Sequence, residues 1–397
     1  MLKGKTVLLG LTGGIAAYKI ANLASALVKL HATVNVIMTE NATKFIAPLT
    51  FETLTNRRCV TDTFNRDFSF DVEHISLAKA ADILVIAPAS ANTIGKLAWG
   101  IADNMLTTTA LACTCPVVVA PAMNSRMYQN AVVQENMERL RKLGMEVIAP
   151  ASGRLACGDV GIGKMPEPET LLAYILRIIA KKKDLAGKKV LVTAGPTREA
   201  LDPVRFISNH STGKMGYAMA AECMLRGAEV TLVTGKTSLA PPLFVETIPV
   251  NSAAEMYEAV LSRSDEMDII IKAAAVADYR PESTAAEKIK KTGEAYALPL
   301  VRTKDILKDL GVRKKAGQFL CGFAMETENL LENARQKLQK KNLDLIVANS
   351  LREQGAGFGT ATNIVTLISA REERQLPLLT KEETAGEIVN EILRLRP

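Results

Sequence analysis

Three short stretches in the first half of this 397-residue chain carry residues suited to chemistry, and each stands where an apolar strand gives way to a turn. Gly10-Leu11-Thr12-Gly13-Gly14-Ile15 precedes a helical pattern, and its glycines let backbone amides approach a phosphate at the helix N-terminus. The G-x-G-x-x-G spacing is missing and no acidic residue closes the second strand at Thr39, so a mononucleotide fits better than a dinucleotide. Pro88-Ala89-Ser90-Ala91-Asn92-Thr93 and Pro121-Ala122-Met123-Asn124-Ser125-Arg126-Met127 place amide and hydroxyl groups at the same sheet edge. His74 stands at a helix start, where an imidazole caps, packs or exchanges a proton. Cys157 lies among four glycines and Asp159 between residues 153 and 163, a composition that suits a mobile flap better than an inert core strand.

The second half carries a different set. Val192-Thr193-Ala194-Gly195-Pro196-Thr197-Arg198-Glu199 is a strand running into a Gly-Pro turn, and Ser208-Asn209-His210-Ser211-Thr212-Gly213-Lys214-Met215-Gly216 opens a helix. Ser208 stands where a P-loop needs its first glycine and Met215 follows the lysine, so this is not a Walker motif. Helix N-terminal amides with Ser211, Thr212 and Lys214 would still hold a phosphate. Lys337 and Lys341, at i and i+4, read by themselves as a solvated helix face, and His31 and His210 read as bystanders.

These residues need a frame. Thr6 to Leu9, Val34 to Met38, Ile83 to Ala87, Val117 to Ala120 and Val147 to Ala149 are short apolar runs separated by amphipathic stretches, the signature of a parallel, doubly wound sheet. Residues 181 to 189 are charged, without an apolar face, and read as a linker. Val190 to Thr193, Val230 to Val233, Asp268 to Ile271, Phe319 to Phe323 and Leu345 to Val347 then repeat the rhythm, with helices over Gly213 to Arg226 and Glu328 to Lys341. The fold class is therefore α/β, with two doubly wound, mostly parallel-sheet domains over residues 1–182 and 183–397.

Composition narrows the classes of function. Hydrophobic residues at 48% and charged residues at 23% match soluble globular proteins and exclude a fibrous or disordered chain. The net charge of +7 admits phosphorylated ligands, whereas 10 Phe, 7 Tyr and one Trp are scattered and form no base-stacking platform, so no nucleic-acid partner is expected. Six dispersed cysteines suit reduced thiols in a cytoplasm, and three histidines with Cys113-Thr114-Cys115 do not make a zinc site. No apolar run approaches the roughly 18 residues of a membrane span, so no membrane partner is expected.

With these motifs in place, the first half resembles the flavin-containing cysteine decarboxylases, and the whole chain resembles the bifunctional phosphopantothenoylcysteine decarboxylase and phosphopantothenate-cysteine ligase family. The resemblance implies a flavodoxin-like flavoprotein domain followed by a Rossmann-like ligase domain. It implies that Gly13, Gly14, Thr39, Ser90 and Asn92 line FMN, that Asn124 binds the substrate carboxylate, that His74 is catalytic and that Cys157 is the proton donor. Tyr128 departs from the tryptophan that often ends the Asn124 motif, which bears on the fit of the substrate. In the ligase half the resemblance assigns catalysis to Asn209, with Arg205 beside it. It assigns CTP to Ala273, Ala274, Ala275, Asp278, Lys288, Lys304, Asp305, Ile306, Leu307, Phe323, Lys337 and Lys341. The stretch from Pro281 to Leu300, with lysines and little apolar periodicity, reads as a mobile lid.

The implied reactions explain these residue types. A carboxylate is a poor electrophile, so the ligase joins that of 4′-phosphopantothenate to CMP, expelling pyrophosphate, before the cysteine amine attacks. Lysines with Mg²⁺ absorb the charge that develops, and the ligands of that metal are not identified by the sequence. The decarboxylase then converts 4′-phosphopantothenoyl-cysteine to 4′-phosphopantetheine, for which a flavin supplies the missing electron sink. The family also implies a homo-oligomer with flavin sites formed between subunits. Two other readings compete: a two-domain NAD-dependent reductase, which the missing dinucleotide fingerprint disfavours, and a regulatory flavoprotein or basic nucleic-acid binder.

Overall fold

In a computed structural model, the run Thr6–Leu11 becomes the central strand β1 of a six-stranded sheet. The structure describes residues 1–64, 72–154, 158–290, 297–326, 329–350 and 360–396. The chain divides into two units, Met1–Lys181 and Lys182–Pro397.

In the first unit β1 is joined by β2 (Thr33–Met38), β3 (Cys59–Val60), β4 (Ile83–Ala89), β5 (Val117–Pro121) and β6 (Glu146–Val147), in the order β3-β2-β1-β4-β5-β6. All neighbours are parallel. Alternate side chains of β1 enter different cores. Val7, Leu9 and Leu11 pack with Leu23, Leu27, Leu171 and Ile175. Leu8 packs on the other face with Ile94, Leu97, Leu106 and Leu140. Burial on both faces is why these strands read as unbroken apolar runs. The chain builds outward from β1 to β3 and then returns to β4, so a crevice opens between the carboxyl ends of β1 and β4, where ligands of such sheets gather.

The second unit holds an eight-stranded sheet: β7 (Lys189–Ala194), β8 (Glu229–Thr234), β9 (Glu246–Pro249), β10 (Ile269–Lys272), β11 (Phe319–Glu326), β12 (Leu345–Ser350), β13 (Val365–Ser369) and β14 (Glu373–Gln375). Its order is β9-β8-β7-β10-β11-β12-β13-β14. The strands are parallel as far as β12, after which β13 and β14 run antiparallel at one edge. The final helix, Lys381–Leu395, starts from a reciprocal cap: Thr380 Oγ1 accepts from Glu383 N at 3.1 Å and Glu383 Oε2 accepts from Thr380 N at 2.9 Å.

The segment expected to be a linker is anchored to the second unit. Leu185 is fully buried, and Asp184 accepts from the Arg226 guanidinium at 2.8 and 2.6 Å. One apolar residue among lysines gives no periodicity to read, yet it suffices to fix the segment. No described helix is long and apolar enough to cross a membrane.

Candidate active sites

The first unit carries a cavity of about 720 Å³ at the carboxyl edge of its sheet, lined mainly by apolar groups. Gly13, Gly14, Ser90 and Asn124 line it, with Tyr18, Met123 and Met165 among the apolar wall and Lys19, Arg154 and Lys164 as cations. Thr12, which the sequence reading did not single out, ties the two edges of the crevice together. Its buried hydroxyl donates to Pro88 O at 2.6 Å and accepts from Ser90 N at 2.9 Å. A Cβ at Gly13 would lie 2.6 Å from Asn41 Cβ, so only glycine lets the β1 turn pass so close to the next crossover.

Ser90 caps the helix Ala91–Trp99 by accepting from Thr93 N at 3.4 Å, and Asn124 caps Ser125–Gln129 by accepting from Arg126 N at 2.8 Å. A hairpin of Ala151–Arg154 and Val160–Lys164 lies against this loop, with Met123 N donating to Gly163 O at 3.0 Å. Gly163 has φ +131°, and a side chain there would strike the Met123 carbonyl. Hydrogen bonds from Lys19 and Lys164 hold the Glu167 carboxyl below its usual range.

Other residues assigned to this site lie elsewhere. Thr39 caps the short helix Glu40–Thr43, Asn92 is exposed in the first turn of Ala91–Trp99, and half-buried His74 is in the first turn of Glu73–Ala80; none lines the cavity. Cys157 lies outside the described residues.

The second unit brings two cavities together at the carboxyl ends of β10 to β12. The larger, about 590 Å³, is lined by Lys304, Asp305, Ile306, Leu307 and Lys341, together with Lys272, Arg302 and Lys308. The smaller, about 400 Å³, is lined by Asn209, Ala273 and Ala275, by the helix start Ser211 to Lys214, and by Asn349, Asn363 and Lys381. Ala274, Val276, Asp278, Phe323 and Lys337 face both.

The dividing loop, residues 273–278, is held by three hydroxyls. Thr193 Oγ1 accepts from Ala274 N at 3.1 Å, Thr197 Oγ1 accepts from Ala277 N at 3.0 Å, and Thr303 Oγ1 donates to Ala277 O at 2.7 Å. Asn209 Nδ2 donates to Ala275 O at 3.1 Å, which sets the amide at the mouth of the smaller cavity. Lys341 pairs with Asp305 at 2.8 Å, and although burial opposes it, that ion pair with the Lys308 amide keeps the Asp305 carboxyl below its usual range.

Arg205 lines neither cavity. It grips Asp202 at 2.9 and 2.5 Å and donates to Ile289 O at 2.8 Å; its hydrogen bonds to Asp202, with the backbone amides of Val204, Arg205 and Ile289, hold that carboxyl far below its usual range. Lys288, beside Ile289, is exposed and also outside both linings. The segment expected to act as a lid is closed at its base by the antiparallel ladder Tyr279–Pro281 with Leu300–Arg302, and residues 291–296 lie outside the described ones. Lys272, Asn349, Asn363 and Lys381 carry no motif that marks them in the sequence: Lys272 and Asn349 end apolar runs, and Asn363 and Lys381 stand among ordinary polar neighbours. All four are buried, and Asn349 Oδ1 and Asn363 Oδ1 have no hydrogen-bond partner among the described residues.

The fold and cavities define a two-unit α/β protein with cavities at the carboxyl edge of each sheet, and comparison with known proteins agrees on two domains of this class. Residues 1–180 match the flavoprotein family, and residues 185–395 match the DNA/pantothenate metabolism flavoprotein C-terminal domain. The coenzyme A biosynthesis bifunctional protein CoaBC of Bacillus subtilis (strain 168) is 50% identical, covering 100% of this chain and 98% of the relative. That of Vibrio vulnificus (strain CMCP6) is 45% identical, covering 99% and 98%. A crystal structure of the C-terminal domain of a coenzyme A biosynthesis bifunctional protein CoaBC is 48% identical, covering 52% of this chain and 95% of that one with a TM-score of 0.45. The chain belongs to the family of coenzyme A biosynthesis bifunctional proteins. It is an enzyme with two activities, a flavoprotein decarboxylase in the first unit and a phosphopantothenate-cysteine ligase in the second.

Proposed function

We propose that the ligase unit activates 4′-phosphopantothenate with CTP and Mg²⁺, that cysteine then takes the acyl group, and that the flavin of the first unit is FMN. The observation that carries the ligase reading is the pair of adjoining cavities sharing Ala274, Asp278, Phe323 and Lys337. A reaction that joins a nucleotide to a carboxylate needs two sites that meet at one wall. The larger cavity, rich in cations, receives the nucleotide, and the smaller, with the Lys214 helix start and Asn209, receives the phosphorylated acid. Mg²⁺ enters with the triphosphate, as this ion commonly does.

In the first unit the glycine turn at Gly13, the apolar wall and the cationic rim suit a ring system bearing one phosphate. Bound flavin supplies the electron sink for decarboxylation. Asn124 orients the substrate carboxylate, and Cys157 delivers the final proton to carbon. Small molecules are the partners, in the cytoplasm, with no part for nucleic acid or membrane.

His74 acts from a neighbouring copy of the chain. Ile15, Tyr18 and Met127 line the flavin cavity yet remain about half exposed (56%, 57% and 49%), leaving an apolar rim for a second subunit to cover. Chains carrying His74→Asn and chains carrying Asn124→Ala, each inactive alone, should therefore regain decarboxylation when co-assembled. Mixed assemblies that stay inactive, from variants that each bind flavin, would place His74 in its own chain's site.

A further inference from the structure

Lys272 ends the run Ile269-Ile270-Ile271-Lys272. Sheet pairing aligns it with Gly322 of β11, which aligns in turn with Ile346 of β12. Residues so aligned face the same side of a sheet, as do positions two apart along a strand. That side carries Ile270, Leu320 and Ile346, covered by Ile306, Leu307 and Leu310 of one helix and Ala334 and Leu338 of another. A lysine thus stands where the apolar cluster would otherwise continue. Gly322 leaves the position between Lys272 and Ile346 without a side chain, and Leu307 and Leu343 lie 3.0 Å from where its Cβ would be.

The Lys272 side chain is 8% exposed and lines the larger cavity. Among the described residues it has no hydrogen-bond or ion-pair partner. Burial pushes its amine down to about 8, with Asp305 and Asp278 opposing that shift and Lys341 adding to it. An amine left in this condition costs free energy unless a ligand supplies its acceptor.

The other cations of the cavity differ in position: Arg302, Lys304 and Lys308 are exposed, and Lys337 and Lys341 are half-buried. These can meet phosphates that keep part of their hydration. Lys272 instead shares its side of the sheet with Ile306, Leu307 and Ile346, which form an apolar wall of the cavity. That wall suits a flat heterocycle with neutral acceptors, whereas a polyphosphate would have to be stripped of water to reach it.

We infer that Lys272 recognises the base of the nucleotide: its amine donates a hydrogen bond to the acceptor edge, N3 or O2, of the cytosine ring, while the outer cations take the phosphates. This rests on the reading of the larger cavity as the nucleotide site. The test is calorimetric titration of the full-length, flavin-loaded protein with CTP and, separately, with inorganic tripolyphosphate. Lys272→Met, which extends the stripe of Ile270 and Ile346, should weaken CTP binding about tenfold to a hundredfold and leave tripolyphosphate binding unchanged. Lys272→Gln, which keeps a donor, should recover part of the loss. Unchanged CTP affinity in both variants, or an equal loss for CTP and tripolyphosphate, overturns the inference. A wild-type protein that binds no CTP overturns the nucleotide reading itself, a result distinct from either.

Discussion

Asn209→Asp is expected to lower ligase turnover by about 10²- to 10³-fold while the protein stays folded and keeps its flavin. The side chain is exposed at the mouth of the smaller cavity, so the change removes no core packing. Its cost lies in charge. The amide now donates to Ala275 O at 3.1 Å and can offer its remaining donor to a reacting acyl oxygen. A carboxylate would set negative charge against that carbonyl and against the oxyanion that forms as the cysteine amine attacks. The variant should therefore fail to release phosphopantothenoyl-cysteine, as measured by mass analysis of quenched reactions, while decarboxylation of supplied phosphopantothenoyl-cysteine continues at the wild-type rate. Undiminished ligation would remove Asn209 from the reacting centre.

Cys157→Ser should separate the steps of the other activity. On the roles proposed above, loss of carbon dioxide requires Asn124 and His74 but not Cys157, whereas completion of the product needs a proton, and a hydroxyl is a far weaker acid than a thiol of pKa about 8.5. The variant is expected to release carbon dioxide once per site and accumulate a compound two hydrogens short of 4′-phosphopantetheine, with its flavin left reduced in the visible spectrum. His74→Asn should instead leave the substrate intact and the flavin oxidised. Normal turnover in Cys157→Ser, or a block before carbon dioxide release, contradicts the role given to this thiol.

The parts of this protein legible in its sequence are those whose burial is simple. Strands such as Ile83–Ala89, buried along all seven residues, have to be apolar throughout and so announce themselves. Strand β3, of two residues, has no period to read, and β13 and β14 form an antiparallel edge whose pairing depends on β12. The final helix carries its Thr380 and Glu383 capping box in plain text, but buried Lys381 and Glu391 interrupt the apolar face that would have marked it.

The sites divide in the same way. Glycine turns and strand-end amides locate the crevices because local geometry demands those residue types. Lys272 is invisible because its meaning depends on Gly322 and Ile346, which lie 50 and 74 residues away and meet it only through sheet register. Arg205 shows the converse. A cation in a suggestive motif is occupied by Asp202 and the Ile289 carbonyl, outside both cavities, which no spacing rule reveals.

The most direct test of two coupled activities in one chain is to incubate the purified protein with 4′-phosphopantothenate, cysteine, CTP and Mg²⁺ and to identify every product by mass. The expected result is 4′-phosphopantetheine with CMP, pyrophosphate and carbon dioxide in equal amounts. A flavin-loaded preparation that yields neither phosphopantothenoyl-cysteine nor phosphopantetheine contradicts it.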